Sequence, residues 1–425
     1  MSAGTGRHVV IIGSGAVGTV SAIECLRMGH RVTVIDPGQP GGEQATSYGN
    51  AGWLSSHSVI PPGEPGMWKK VPSFLLDPLG PLSIRWAYLP KVLPWLIRFL
   101  LAARTPALIE QTAAAMRTLL IDAPKLHAGL ASEAGVSRLI ERRGVMHVYP
   151  DRAAFEGEAR SWAIRRKVGI EWIELSTDEL RQREPNLHPR YTFGLVVEEA
   201  GHCRDPGRYI AALSELARER GATYVSTRAT GFCHDEGRLI AVTTDQGEIA
   251  CDCAVVAAGA RSKALTSSLG DPLPLESERG YHVMITDAEI GPHTPIMASD
   301  AKMIVNHMNG GLRAAGQVEF AGLAAVPNWK RADILRDHLI SMFPRLADQQ
   351  IPAERLRVWL GHRPSMPDGR PCIGTARKTS DVIYAFGHGH VGLVGSARTG
   401  RLVAQLVSRA KPEIPLAPFD PRRFL

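Results

Sequence analysis

Three glycines and one acid near the start of the chain have the types and spacing of a nucleotide-binding turn. Gly13, Gly15 and Gly18 follow one apolar run, and Asp36 ends the next. Between a strand and a helix, such glycines permit a tight turn, let a pyrophosphate approach the backbone, and let the two elements pack closely. The acid accepts hydrogen bonds from ribose hydroxyl groups. Free N–H groups and the dipole of the helix favour phosphate, so we predict a dinucleotide site formed by Gly13, Gly15, Ala16, Val17, Gly18 and Asp36.

A second loop has the composition of a backbone that presses against a flat ligand. Residues 45–52 have the sequence Ala-Thr-Ser-Tyr-Gly-Asn-Ala-Gly. Thr46 and Ser47 can donate hydroxyl hydrogen bonds, and their small neighbours allow close approach. An ordinary turn of glycine, serine and asparagine has the same composition, so both interpretations stay open at this point.

One arginine has the chemistry that holds a carboxylate. Arg363 precedes Pro364 in a segment that we predict to be extended. A planar guanidinium forms two parallel hydrogen bonds with a carboxylate, which fixes both the distance and the tilt of the bound molecule. That tilt would direct a Cα–H bond of the molecule toward an acceptor. A structural ion pair is the alternative role for Arg363.

A tyrosine and two histidines are further candidates. Tyr281 begins an alternating apolar strand, where a phenol would cover a substrate and donate to its carboxylate; a packed strand tyrosine is the alternative. His388 and His390 alternate with glycine. Two histidines at this spacing without a nearby carboxylate make a weak metal site, so we expect no metal. His390 is predicted to contact a substrate or to assist proton loss from its amine.

The elements that must position these residues are of two kinds. Predicted helices cover residues 84–103, 105–133, 206–220, 329–343 and 395–409. Predicted antiparallel strands cover residues 281–286, 302–307 and 312–318. The chain therefore crosses several times between a nucleotide-binding fold and an antiparallel domain, with no single linker.

Composition and charge indicate a globular protein without a nucleic-acid-binding module. The 425 residues are 44% hydrophobic and 21% charged, and the net charge of +7 is spread without a run of five Lys or Arg. Six cysteines form no CxxC motif, which favours reduced thiols and a cytoplasmic location. We expect neither a signal peptide nor a membrane span, since no uncharged apolar run reaches about 18 residues. Tryptophans and cations in 81–103 are typical of an interfacial helix, and an ordinary substrate-domain helix is the alternative.

Several motifs occur in the order of a known family. They are residues 8–18, 46–52, Ala258-Gly259-Ala260, Arg279-Gly280-Tyr281, 359–364, Pro367-Asp368-Gly369 and 387–390. From about residue 8 to 410 the chain resembles the FAD-dependent D-amino-acid oxidoreductase superfamily. It resembles most closely the D-amino-acid dehydrogenase small-subunit branch, with glycine oxidase and sarcosine oxidase as more distant relatives. The resemblance is weakest over 60–190.

The resemblance implies non-covalent FAD and oxidation of a Cα–N bond to an imino acid, which water hydrolyses to a 2-oxo acid and ammonia. It also implies FAD contacts from the second loop, from a strand end and from the glycine turn before the last helix. These are Thr46, Ser47, Asn50, Ala51, Gly52, Ala258, Gly259, Gly389, Val391 and Gly392. His57 is implied to bind substrate near the flavin, where a buried histidine is the alternative. His362 replaces the commoner leucine and is implied to lie beside the substrate or in a supporting hydrogen bond.

The fold class that the resemblance implies is α/β plus antiparallel β. A Rossmann-like FAD domain of the glutathione-reductase-like type is interleaved with a substrate domain of the D-amino-acid oxidase type. We expect the FAD domain to comprise 1–80, 190–270 and 358–425. The substrate domain is expected to comprise 81–189 and 271–357, with its sheet above the flavin.

The expected reaction is oxidative deamination of a D-amino acid or a cyclic imino acid, such as D-proline or hydroxy-D-proline. A hydride would pass from Cα to flavin N5, and the electrons would pass on to a quinone or another acceptor. The resembled branch is membrane-associated, so peripheral contact with the inner membrane is also expected. Two alternatives stay open: an oxygen-using amine oxidase of the glycine or sarcosine type, and a flavoprotein subunit that is inactive without a partner complex.

Overall fold

A computed structural model describes residues 6–63, 77, 79–80, 82–349 and 351–425. Its strands are β1 (His8–Ile12), β2 (Arg31–Ile35), β3 (Trp53–Leu54), β4 (Leu82–Ile84), β5 (Ile140–Glu141), β6 (Val145–Tyr149), β7 (Ile173–Leu175), β8 (Phe193–Val197), β9 (Gly201–Cys203), β10 (Thr223–Val225), β11 (Ala229–Asp235), β12 (Arg238–Thr244), β13 (Gly247–Ala250), β14 (Cys253–Val256), β15 (Glu276–Ile285), β16 (Ile296–Ala298), β17 (Met303–Met308), β18 (Gly311–Phe320), β19 (Leu356–Ser365), β20 (Cys372–Thr375) and β21 (Val382–Phe386). Its α-helices are α1 (Ala16–Arg27), α2 (Leu89–Ala102), α3 (Pro106–Leu120), α4 (Ala123–Glu133), α5 (Arg152–Glu156), α6 (Ala159–Lys167), α7 (Thr177–Arg183), α8 (Pro206–Glu219), α9 (Ser262–Ser268), α10 (Lys330–Met342) and α11 (Gly392–Val407).

A six-stranded sheet forms the nucleotide-binding half. Its strand order is β10-β2-β1-β14-β21-β20, and every pairing is parallel except that of β20 with β21. The central strands are short apolar runs buried on both faces, as a sheet covered by helices requires. The β1–α1 turn lies at the carboxyl end of a central strand, where open α/β sheets bind their ligands.

A nine-stranded sheet forms the second half. Its order is β19-β15-β18-β17-β16-β6-β8-β7, and β4 pairs with β18. Strands β15 and β19 pair over ten residues, which makes this the longest ladder in the described part of the chain. One face of the sheet packs on α10 through an apolar core that includes Tyr281, Val283, Leu335 and Leu339. The opposite face covers the loop that follows β2.

The observed elements differ from the predicted organisation at one helix and at two domain boundaries. The long helix expected over 105–133 is two helices, α3 and α4, because Pro124 cannot continue a helix and instead occupies the first turn of α4. Strand β8 lies in the nine-stranded sheet, although the expected boundary at 190 assigns it to the FAD domain. The same sheet includes β19, which crosses the expected boundary at 358. The domain boundaries themselves stay a prediction.

No single helix in the described ranges is long and apolar enough to cross a membrane. Trp86–Ala102 and Pro106–Glu133 reach that length and apolarity only as a pair bent by 94°.

Helices α1 and α11 pack in close contact at Gly400. A Cβ at this position would lie 2.7 Å from Val20 Cγ1 and 2.9 Å from the Val20 carbonyl carbon. We expect Gly400→Ala to lower the free energy of unfolding by about 1–3 kcal/mol, because the backbone of α1 must shift to admit the methyl group. Gly129→Ala in α4 is the matched control, since no atom lies within 4 Å of its Cβ and alanine is favoured over glycine in a helix. Urea unfolding measures both variants, and a Gly400→Ala protein as stable as the control would contradict this packing.

Candidate active site

Gly13, Gly15 and Gly18 of the nucleotide-binding turn are each glycine for a different structural reason. Gly13 has φ +113°, and a Cβ there would lie 2.5 Å from Ala257 O. A Cβ on Gly18 would overlap the carbonyl oxygen of Gly13. Gly15 has ordinary extended dihedral angles, and the nearest atom to a Cβ would be Ser47 Oγ at 3.4 Å. The protein itself therefore requires glycine at 13 and 18, whereas glycine at 15 leaves open space in front of the helix.

That open space has the donors and acceptors that a dinucleotide needs. Gly15, the N-cap of helix α1, has no side chain to cap the helix, so the N–H groups of the first turn beyond Ala16, which donates to Ser47 Oγ, stay available to a ligand. The buried Ser14 Oγ has no hydrogen-bond partner in the described part of the chain. Asp36 accepts from Ser14 N and Gly38 N, both at 2.8 Å, and each of its oxygens keeps a lone pair for a ribose hydroxyl. These residues fit the adenosine and pyrophosphate parts of FAD.

The loop 43–52 runs across the nine-stranded sheet and is held there by four strands. The contacts join Thr46 Oγ1 to His362 O (2.7 Å), Gly49 O to His282 Nδ1 (3.1 Å), Asn50 O to Arg313 Nη1 (2.7 Å) and Ala51 O to Asn306 Nδ2 (3.3 Å). The other end of the connection is Ser47 Oγ, which accepts from Ala16 N at 3.3 Å. Gly52 has φ +79° and donates its N–H to Asn50 Oδ1 at 2.8 Å. One loop thus joins the nucleotide turn to the sheet.

A cavity of about 730 Å³ lies between this loop, helix α2 and the nine-stranded sheet. It brings together nine of the predicted site residues. The predicted residues on its wall are Thr46, Asn50, Ala51, His57, Tyr281, Arg363, Gly389, His390 and Val391. The turn at Gly389 precedes α11, whose first turn has no side-chain cap and no acid. A second helix N-terminus therefore faces the cavity, where it would stabilise negative charge on a reduced flavin.

Arg363 lies flat over the cavity face of the sheet. A Cβ on Gly280, the neighbouring strand residue, would overlap the guanidinium. Nη1 donates to Gln317 O at 2.8 Å and Nη2 donates to Gly316 O at 3.3 Å, which leaves further N–H groups for a ligand. Burial lowers the pKa of Arg363 and the charge of Glu278 raises it, and a guanidinium stays protonated in either case.

Glu278 and His390 form a pair beside Arg363. His390 Nε2 lies 2.8 Å from Glu278 Oε2, and the His390 side chain is 47% exposed. Burial raises the pKa of Glu278, but the hydrogen bond from His390, the charge that His390 carries when it is protonated, and the charge of Arg363 outweigh burial and hold the pKa below its usual value. Glu278 is therefore ionised at neutral pH.

The other histidines occupy different surroundings. His388 is buried, its Nε2 lies 3.0 Å from Thr399 Oγ1, and burial lowers its pKa to about 3. His57 is also buried, and its Nε2 lies 2.9 Å from His147 Nε2 at the cavity wall. Burial, followed by nearby positive charge, holds the pKa of both His57 and His147 well below the usual value. No group of three or more potential metal ligands occurs in the described ranges.

Two predicted substrate contacts point away from the cavity. Tyr281 borders it, but its hydroxyl donates to Glu319 Oε2 at 2.6 Å and accepts from Asn328 N at 3.1 Å in the core beneath the sheet. His362 has its Nδ1 at 2.9 Å from Ser277 Oγ, on that same face. Side chains alternate along a strand, so the neighbours of Gly280 and Arg363 must point to the opposite face. The expected contact of the Tyr281 hydroxyl with a substrate carboxylate is therefore wrong, and of the two roles expected for His362 the hydrogen bond with Ser277 agrees with the supporting one rather than with a substrate contact.

Two residues of the site, Glu278 and His147, were not predicted from the sequence. Glu278 directly precedes the motif Arg279-Gly280-Tyr281, whose glycine, inside a strand pattern, signals close approach of another group. His147 lies in an apolar strand without any motif, so the sequence offers no signal for it.

A substitution at Gly15 tests whether this glycine is needed for cofactor binding rather than for folding. We expect Gly15→Ala to weaken FAD binding by about tenfold or more, since a methyl group would enter the space for the pyrophosphate. The melting temperature of the apoprotein should hardly change, because Ser47 Oγ at 3.4 Å is an ordinary contact. Gly18→Ala is the contrasting variant and should destabilise the apoprotein. Flavin fluorescence titration and thermal unfolding measure the two effects, and unchanged FAD affinity in Gly15→Ala would contradict the placement.

Curated proteins of similar sequence align with nearly the whole chain. The family model described as FAD dependent oxidoreductase, DAO, matches residues 8–406. A protein named D-amino-acid oxidase from Bradyrhizobium diazoefficiens is 69% identical over 420 residues, 99% of each chain. A D-amino acid dehydrogenase from Paramagnetospirillum magneticum is 31% identical over 409 residues, 94% of each chain.

Solved structures share the fold at low sequence identity. Glycine oxidase from Geobacillus kaustophilus has a TM-score of 0.74 at 21% identity, over 99% of this chain and 100% of that one. L-proline dehydrogenase from P. horikoshii has a TM-score of 0.72 at 19% identity, over 99% of this chain and 98% of that one. These likenesses confirm the predicted fold class, and the family match confirms FAD as the cofactor. The chain belongs to the DAO family of FAD-dependent oxidoreductases.

Proposed function

We propose that this enzyme catalyses the FAD-dependent oxidative deamination of D-amino acids. The observation that carries the proposal is the Arg363 guanidinium, which lies over Gly280 with N–H groups directed to a cavity beside the cofactor site. FAD, when bound, supplies the acceptor for the hydride of the substrate Cα–H bond. The preference for D-isomers is supported by the name of the 69% identical relative.

Arg363 holds the substrate carboxylate in two hydrogen bonds. The carbonyl oxygens of Gly316 and Gln317 fix the guanidinium plane before the substrate arrives, so little conformational entropy is lost on binding. A fixed plane sets the tilt of the bound carboxylate and therefore the direction of the Cα–H bond. Glu278 keeps the charge at this end of the cavity balanced until an anionic ligand binds.

His390 is suited to take a proton from the substrate amine. A carboxylate only accepts hydrogen bonds, so in the neutral ring the hydrogen is on Nε2, which donates to Glu278, and Nδ1 is the free acceptor. Nearly half of the side chain is exposed, which allows the proton to pass on to solvent. Loss of that proton frees the nitrogen lone pair, which then forms the C=N bond as the hydride leaves Cα. Water converts the imino acid to a 2-oxo acid and ammonia.

Two acceptors for the substrate electrons are supported by different observations. The 69% identical relative is named an oxidase, which supports oxygen. A quinone is supported by an exposed apolar stripe on and before α2, formed by Trp86, Leu93, Ile97 and Leu101. With Lys91 and Arg98 nearby, the stripe also supports peripheral contact with an anionic membrane; residue 81 of the expected segment lies outside the described residues. Release of hydrogen peroxide in air, measured against reduction of a soluble quinone under nitrogen, separates the two acceptors.

An anaerobic screen tests the proposed substrate class. We expect D-amino acids to bleach the flavin absorbance of the purified holoenzyme and their L-isomers to leave it unchanged. D-proline, hydroxy-D-proline, glycine and sarcosine belong in the same screen, because cyclic imino acids and N-methyl amino acids are the remaining predicted classes. Bleaching by L-isomers alone would contradict the proposal, and activity that needs an added partner would favour a subunit of a larger complex.

Arg363 and Arg357 form a matched pair on β19. Both side chains belong to the same alternating set of positions, but Arg357 is exposed and donates to Glu354 O. We expect Arg363→Ala to raise KM by about 30-fold to several thousand-fold, since losing a partner of a buried charged hydrogen bond costs about 2–5 kcal/mol. Arg357→Ala should leave KM unchanged. Steady-state kinetics measure KM for both variants. A tenfold or smaller rise in KM for Arg363→Ala would show that Arg363 does not bind the substrate carboxylate.

A further inference from the structure

A second arginine faces the same cavity from helix α6. Arg165 lies on the cavity wall, and its Nε donates to His57 O at 3.2 Å. Its Cζ stacks on the Trp162 ring at 4.5 Å from the centroid. In the described part of the chain, neither Nη atom has a hydrogen-bond partner and no carboxylate lies within 4.0 Å of the guanidinium. Burial lowers the pKa of Arg165 to about 10, so it stays charged at neutral pH.

The groups around Arg165 do not balance its charge. Glu158 is the carboxylate whose charge raises the pKa of Arg165, but Glu158 accepts from the Tyr149 hydroxyl at 3.0 Å and pairs with Lys302 Nζ at 2.7 Å. His57 and His147 are neutral, for the reasons given above. Arg165 is half-buried, and a partly desolvated cation without a paired anion is stabilised when a ligand supplies one. This end of the cavity therefore has the electrostatics of an anion site.

The spacing between the two arginines suits one amino acid with a charged side chain. The guanidinium of Arg363 lies between Gly280 of β15 and the carbonyl oxygens of Gly316 and Gln317 on β18, whereas His147, which feels the charge of Arg165, lies on β6. The two ends are therefore three to four strand spacings of about 4.8 Å apart, roughly 14–19 Å. Two carboxylates, each bound to its own guanidinium and joined by a short methylene chain, span the lower end of this range.

The wall between the two ends is apolar. Ile304 of β17 and Met297 of β16 are paired across the sheet and both line the cavity. Methylene groups of a side chain would pack on them, while its terminal group reaches Arg165. Proline and glycine have no group that reaches this end.

Resting on the proposed oxidation of D-amino acids, we propose that Arg165 binds an anionic group at the end of the substrate side chain. The substrate class is then the acidic D-amino acids of about D-glutamate size. Arg165 sets specificity for the side chain, and Arg363 holds the α-carboxylate that all amino acids share.

Arg165→Met and Arg166→Met form the test pair. Each arginine lies 4.5 Å over a tryptophan ring, Trp162 or Trp172, but only Arg165 is on the cavity wall. We expect Arg165→Met to lower kcat/KM for D-glutamate by about 30-fold or more, as for other buried charged hydrogen bonds, and to change kcat/KM for D-methionine less than about threefold. Arg166→Met should change neither, and Arg165→Lys should restore part of the activity on D-glutamate.

Ligand binding gives a second readout that needs no turnover. Glutarate should protect the wild-type holoenzyme against thermal unfolding more than butyrate does, and Arg165→Met should remove that difference. Equal protection by the two acids in the wild-type protein would overturn the inference, even if the Arg165 variants fail to fold. Flavin reduction by D-methionine but not by D-glutamate would overturn it and leave the proposed function standing. If no D-amino acid reduces the flavin, both fail.

Discussion

The contact between the Arg363 guanidinium and the bare backbone at Gly280 is the constraint on which the site depends. A side chain at Gly280 would overlap the guanidinium, and a side chain at the paired Gly361 would overlap the Trp359 ring. Two adjacent glycines therefore leave a flat area in the middle of a long antiparallel ladder. The ladder keeps the area rigid, and the carbonyl oxygens of the next strand orient the arginine. A carboxylate can then bind to a group whose position is already fixed.

The loop 43–52 couples this area to the cofactor site. It meets the first turn of α1 through Ser47 and crosses four strands of the nine-stranded sheet. Arg313 takes part in holding this loop, since its Nη1 donates to Asn50 O. One short loop therefore contacts both the cofactor turn and the sheet that lines the cavity.

The nucleotide turn, the fold class and the presence of Arg363 at the cavity could be predicted from the sequence, because each rests on local chemistry or on a motif. The sequence did not predict which face of β15 and β19 borders the cavity. The alternation of side chains shows that Tyr281 and His362 share one face of the sheet, but it does not show whether that face borders the cavity. The packing of this face on α10 determines that it does not. Arg165 stands in a run of three basic residues at the end of a helix, where cations are ordinary. Only the tertiary structure separates it from Arg166.

A crystal structure of the FAD-loaded protein with a carboxylate that cannot be oxidised, such as butyrate, tests the role of Arg363 most directly. The expected result is a carboxylate over Gly280, with both oxygens about 2.7–2.9 Å from N–H groups of Arg363 and the flavin ring on the other side of the ligand. A carboxylate bound elsewhere in the cavity, with Arg363 contacting only the carbonyl oxygens of Gly316 and Gln317, would contradict it.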